Sequence, residues 1–212
     1  MGRRPGIEGR ELLLAAALKL FSEQGIDGVS IRAVNREAGL GPASVHYHFG
    51  TKEALLDAVV GAYGDSVAQA TKARAKEIMA TDGPVTARDL VTMLAEPYLD
   101  LMADRGREGA AWVRVISSLL QSDPERIIDR SAARLGWSAA ARVYPEAAPE
   151  TVRRAMRMCY TLLVTQLAHA KLNGRKPSSF DLELLIDFLT AGLDGALDAP
   201  APPRRARRAR AS

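Results

Sequence analysis

The chain has 212 residues, 47% of them hydrophobic and 25% charged, which is enough apolar content for one large domain or a small domain joined to a larger one. Its net charge is +4, but five arginines at positions 204, 205, 207, 208 and 210 supply the excess, and without them the charge is −1. Overall basicity is therefore a weak pointer to a nucleic acid partner for the folded part. A single cysteine, Cys159, excludes an internal disulfide and fits a reducing compartment. No apolar run approaches the roughly 18 residues that span a bilayer, and Glu8, Arg10 and Glu11 interrupt the place of a signal-peptide core. A soluble, cytoplasmic protein with no membrane partner is expected.

Apolar spacing is helical nearly throughout, and no alternating strand stands out. Leu13, Ala17, Leu20 and Phe21 predict an amphipathic helix from about Ile7 to Gln24, stopped by Gly25 in a left-handed conformation. Ser30 caps a second helix carrying Ile31, Val34 and Ala38 on one face. Gly39-Leu40-Gly41 breaks it, and Pro42 suits the first turn of a third, short helix running to about Phe49. Gly50 ends that helix, and Thr51 caps a longer fourth one bearing Leu55, Leu56, Val59 and Val60.

Farther along, Asp82-Gly83-Pro84 and Asp104-Arg105-Gly106 flank one helix. The run Ala110 to Leu120 forms the next, and Ser122-Asp123-Pro124 starts another. A long apolar helix is expected from about Pro149 to Leu172, ended by Asn173-Gly174. A last one, from about Ser179 to Leu197, carries Leu182, Leu185, Ile186, Leu189 and Leu193. The expected fold class is all-α. A three-helix helix-turn-helix domain occupies residues 1–50, a larger helical domain spans 51–198, and an arginine-rich tail, 199–212, is read as disordered.

Two short helices joined by a glycine-containing turn describe a helix-turn-helix. Burying Ile31, Val34, Ala38, Leu40, Val45 and Phe49 against the first helix leaves the outer face of the third free for a major groove, which admits one helix. From Ala38 to Thr51 there is no acidic residue. Ser44, His46, Tyr47 and His48 are short or planar hydrogen-bonding groups, and Lys52 follows for a phosphate; such groups without carboxylates are what a polyanion selects.

Residues 10 to 56 read RELLLAAALKLFSEQGIDGVSIRAVNREAGLGPASVHYHFGTKEALL. This stretch resembles the DNA-binding domain of the tetracycline-repressor (TetR) family, most distinctively in the Ala38-Gly39-Leu40 turn and in Tyr47-His48-Phe49 followed by Lys52. The resemblance implies a homodimeric regulator of a double-stranded DNA operator, whose second domain dimerises and binds a small-molecule effector. It implies that Ser30 contacts a phosphate, that Pro42, Ala43 and Ser44 face base edges or nearby backbone, and that His46 reaches a base or phosphate. Tyr47, His48 and Lys52 then donate to phosphates. Three positions depart from the family pattern: Asn35 stands for the usual alanine, Ala43 for a frequent glycine and His46 for tyrosine.

His48 is read either as such a donor or as a structural residue. His169 and Cys159 read as core or interface residues. Met93, Tyr98, Met102, Trp112 and Met156 suit either an effector cavity or ordinary core, and an apolar, aromatic-poor domain suggests a hydrophobic or amphipathic effector. The arginine tail is either a solubilising end or an extra phosphate-binding segment, and Arg3-Arg4 is a similar arm. No P-loop, dinucleotide loop, metal-spaced cluster or nucleophile motif is present. Neither an enzyme nor a cofactor nor a metal is expected.

Overall fold

The computed structural model describes residues 5–127, 129–170, 172–173, 176–177 and 182–198; the arginine tail and the Arg3-Arg4 arm lie outside them. Helix α1 (Pro5–Gln24), α2 (Ile31–Glu37) and α3 (Ser44–Phe49) form an N-terminal head. Ser30 caps α2, its hydroxyl accepting from the Ala33 amide at 3.2 Å, and Thr51 caps α4 by accepting from Ala54 at 3.1 Å. Each cap satisfies an amide that the first helical turn leaves without a partner. Helix α4 (Lys52–Ala80) has 29 residues, a length of about 43 Å. It packs on α1 and α3 and also on α5 (Ala87–Arg105), α6 (Arg107–Ser122) and α7 (Arg130–Val143), so it runs through both halves of the molecule.

The rest is a helical body in which α6 packs on α8 (Pro149–His169) and α8 on α9 (Leu182–Leu197). Several of its connections differ from the sequence expectation. Pro124 opens only a short 3₁₀ turn, Pro124–Arg126, and α7 starts after it. The reason is a stronger cap: the Asp129 carboxylate accepts from the amides of Ser131 (2.7 Å) and Ala132 (3.0 Å) and pairs with Lys72 on α4 at 2.8 Å. Lys72 and these donors hold the Asp129 carboxyl well below the usual carboxylate range. Helix α8 stops at His169, three residues short of Leu172, because Ala170 turns extended. The chain then makes a two-residue antiparallel ladder, Leu172–Asn173 with Lys176–Pro177, too short to leave an alternating pattern in sequence. The described part of the last helix begins at Leu182, and Ser179, its expected start, lies outside the described residues.

The far end of α4 is closed from outside. The Arg142 guanidinium on α7 donates to the carbonyls of Ile78 (3.1 Å), Met79 (2.7 Å) and Thr81, acceptors that a helix C-terminus leaves unpaired. At the middle of the body, Trp112 on α6 is 2% exposed. Its indole N–H is shared between the carbonyls of Val59 and Val60 on α4, both at 3.1 Å. Among the described residues no helix is long and apolar enough to cross a membrane.

Candidate nucleic-acid interface

The head is organised around a small core. Leu13, Ala17 and Phe21 of α1, Val29 before α2, Val34 of α2 and Val45 of α3 are all buried. Burial of Val45 sets the roll of α3. With Val45 inward and Phe49 one turn later half-buried, the opposite side carries His46 and Tyr47, both exposed, with Pro42 and Ala43 exposed just ahead of it. Tyr47 is 83% exposed.

Between α2 and α3 the chain reverses through Gly39, whose φ of 67° is the left-handed backbone that glycine takes without strain. Asn35 lies at the inner side of this turn and is 2% exposed. Its side-chain amide donates to the Pro42 carbonyl at 2.7 Å, and its side-chain oxygen accepts from the Val45 amide at 3.1 Å. The sequence suggested only a polar side chain at a packing position. A bonded clip was not legible there, because its partners lie seven and ten residues away.

The remaining expected contacts take different places. Ser30 is exposed, although its hydroxyl is engaged in the cap of α2. Ser44 and Lys52 are half-buried at the starts of α3 and α4. The His46 ring nitrogen Nδ1 lies 2.7 Å from the Gly50 carbonyl. It must carry a proton to make that bond, so Nε2 of the neutral ring is an acceptor and becomes a donor to phosphate only in the imidazolium. His48 is half-buried and turned toward α1. A Cβ at Gly9 would stand 3.1 Å from its Nε2, so the imidazole lies close against the α1 backbone there. Its ring also meets that of Tyr47 edge-on, 4.9 Å between centroids.

Charge around this face is one-sided. Glu37, at the end of α2, is neutralised by Lys19 of α1 at 2.6 Å. Arg32 and Arg36, one helical turn apart on α2, are exposed. The sequence reading passed over both arginines; their signal was four-residue spacing on a helix whose apolar face is Ile31 and Val34.

The five candidate effector residues fall in the body. Met93, Tyr98, Met102, Trp112 and Met156 are all buried. The Tyr98 and Trp112 rings pack with centroids 6.1 Å apart, and the Tyr98 hydroxyl bonds that of Tyr160. Burial disfavours ionisation of both phenols and holds each above the ordinary tyrosine range. Met93 borders a cavity of about 230 Å³ between α4 and α5, beside Arg74 and Glu96. A larger groove, about 870 Å³, runs between α1, α6 and the end of α8 past Arg107, Arg114 and His169, and none of the five lines it. His169 is exposed and bonds the Thr165 carbonyl at 2.7 Å. Burial pushes the Cys159 thiol up to about 12, so it stays protonated at neutral pH.

The family model described as "Bacterial regulatory proteins, tetR family" matches residues 13–59. The HTH-type transcriptional regulator BetI of Rhizobium meliloti (strain 1021) is 32% identical over 121 residues, covering 55% of each protein. The match thus spans about half the length of that relative. Among solved structures, a bacterial regulatory protein in the tetR family from Rhodococcus RHA1 aligns with a TM-score of 0.57 at 22% identity, covering 87% of this chain and 95% of that one. The multidrug binding protein EbrR complexed with malachite green aligns at 0.53 and 20% identity, covering 86% and 96%. At those identities both likenesses speak to the fold: a head of this kind followed by a larger helical body.

Proposed function

We propose, from the chain's membership of the TetR family through residues 13–59, that this transcriptional regulator is a homodimeric repressor released from a pseudo-palindromic operator by a small molecule. The family consists of transcriptional regulators and not enzymes. The observation that carries the DNA-reading part is the outer face of α3. Tyr47 and His46 are exposed there, no carboxylate occurs from Ala38 to Thr51, and the nearest acid on α2 is neutralised. On this reading Pro42, Ala43, Ser44 and His46 meet base edges, while Ser30, Tyr47, Lys52 and the α2 arginines meet phosphates. His48 serves chiefly to seat α3 on α1.

Dimerisation is supported by the outward faces of the last two helices. Leu185, Ile186, Leu189 and Leu193 of α9 are buried within the chain, and Arg88 of α5 pairs with Glu183 (2.5 Å) and Asp187 on its polar side. Leu184 and Phe188, four residues apart, nevertheless stand 64% exposed, and Met158 of α8 is 72% exposed. Exposed apolar side chains of that size on two helices that pack together favour an interface there, and a two-fold four-helix bundle from α8 and α9 would cover them. Phe188→Glu is expected to sediment at the 22.8 kDa of one chain, where the parent runs at twice that mass. It is expected to lose at least about a hundredfold in operator affinity, because one head alone contacts a half-site. A parent that is monomeric at micromolar concentration contradicts the dimer.

For the effector, the buried cluster of Tyr98, Trp112 and their methionine neighbours supports a hydrophobic or amphipathic ligand that enters by parting α5, α6 and α8. The fold likeness to a multidrug binding protein complexed with malachite green fits that class. Trp112 then links the site to the head, since its N–H holds the carbonyls of α4. A ligand shifts operator affinity only by its differential affinity for the two arrangements of that helix.

A further inference from the structure

We infer that Asn35 is a positioning residue for sequence reading, setting the pose of α3 from the neighbouring helix; the inference rests on the DNA-binding function proposed above. Helix α3 has six residues and its N-cap is Ala43, which has no side-chain acceptor to offer. The Ser44 amide is taken by the Gly41 carbonyl at 3.0 Å. The Val45 amide, next in the first turn, has no intrahelical partner, and the buried Asn35 oxygen supplies one from α2. The same side chain donates to the Pro42 carbonyl, and the Asn35 backbone carbonyl accepts from Leu40 at 2.9 Å. One residue therefore ties the beginning, middle and end of the turn.

The two side-chain bonds fix the angle between α2 and α3 rather than adding surface for DNA, because Asn35 is 2% exposed and cannot touch a duplex. Base edges are read by hydrogen bonds that fail with small misplacement, whereas phosphate attraction tolerates it. Removing the clip should thus separate the two kinds of affinity. An alanine at 35 leaves a buried amide and a carbonyl without partners, and α3 is free to tilt on Val45.

The experiment uses the full chain and two duplexes of equal length: one enriched by the parent from a random pool, and one shuffled. Asn35→Ala is expected to weaken binding to the enriched duplex by about ten- to a hundredfold, a change of the size of one or two lost base contacts. Binding to the shuffled duplex should change by less than about threefold, since its affinity comes from phosphates. Asn35→Asp retains an acceptor for Val45 but sets a buried carboxylate oxygen against the Pro42 carbonyl, and is expected to lose at least as much on the enriched duplex as Asn35→Ala. Equal losses on both duplexes, or no loss on either, overturn the inference.

Amide exchange of the parent supplies an arm that requires neither a substitution nor DNA. The Val45 N–H is expected to be protected at least about a hundredfold more than the exposed Ala43 amide, and equal rates overturn the clip even if Asn35→Ala does not fold. Failure of the parent to enrich any duplex would sink the DNA-binding function instead, and it is seen before any variant is made.

Discussion

Trp112→Ala is expected to lower the unfolding free energy by about 3–5 kcal/mol, the usual cost of emptying a buried tryptophan site. Trp112 is 2% exposed and packs between Tyr98, at 6.1 Å between centroids, and Tyr63, at 6.3 Å. Its indole N–H also joins α6 to α4. Gly64 on α4 faces the ring edge, where an added Cβ would stand at ordinary van der Waals distance, 3.7 Å. Urea unfolding followed by circular dichroism measures the loss. Trp112→Phe keeps much of the packing and deletes the donor, and should cost roughly 2 kcal/mol or less. A loss below about 1 kcal/mol for the alanine variant contradicts the central placement of this side chain.

The second large effect falls on DNA binding. Tyr47→Ala combined with Lys52→Ala is expected to cut operator affinity by at least about a hundredfold, because each protomer loses a phosphate donor and a charge-assisted contact worth roughly 1.5–3 kcal/mol. One cation is removed per protomer, so the slope of log affinity against log salt should become shallower by about 2 for the dimer. Stability should move little, since Tyr47 is 83% exposed and Lys52 is a half-buried lysine at the first turn of α4. Thermal unfolding and a salt titration of binding separate the two readouts. Unchanged affinity, or a loss matched by unfolding, speaks against the assigned face.

What could be read from the sequence follows the range of the interactions involved. Local signals gave the head: Ser30 and Thr51 cap helices through amides three residues away, and Gly39 turns the chain within its own neighbourhood. Breakers on either side marked α5, and apolar runs marked α6, α8 and α9. The errors came where distant groups decide. Pro124 looked like a helix start, but the cap that succeeds is Asp129, aided by Lys72 some 57 residues earlier. The length of α4 was not legible because its far end is capped by Arg142 from α7. In the interface, Asn35 and the turn of His48 toward Gly9 depend on contacts between helices that no local pattern announces. The candidate effector residues suited either a cavity or ordinary core; Tyr98 and Trp112 pack together, and only Met93 of the five borders either cavity described above.

The central claim is that α3, held by α2 and presented twice by a two-fold dimer, reads a defined DNA sequence. Selection of bound duplexes from a random pool by the full-length protein, at near-physiological salt, addresses it most directly. The expected result is enrichment of an inverted repeat whose half-site centres are separated by about one helical turn or a whole multiple of it. A bound pool that stays random in sequence, or that carries single half-sites with no fixed spacing, contradicts it.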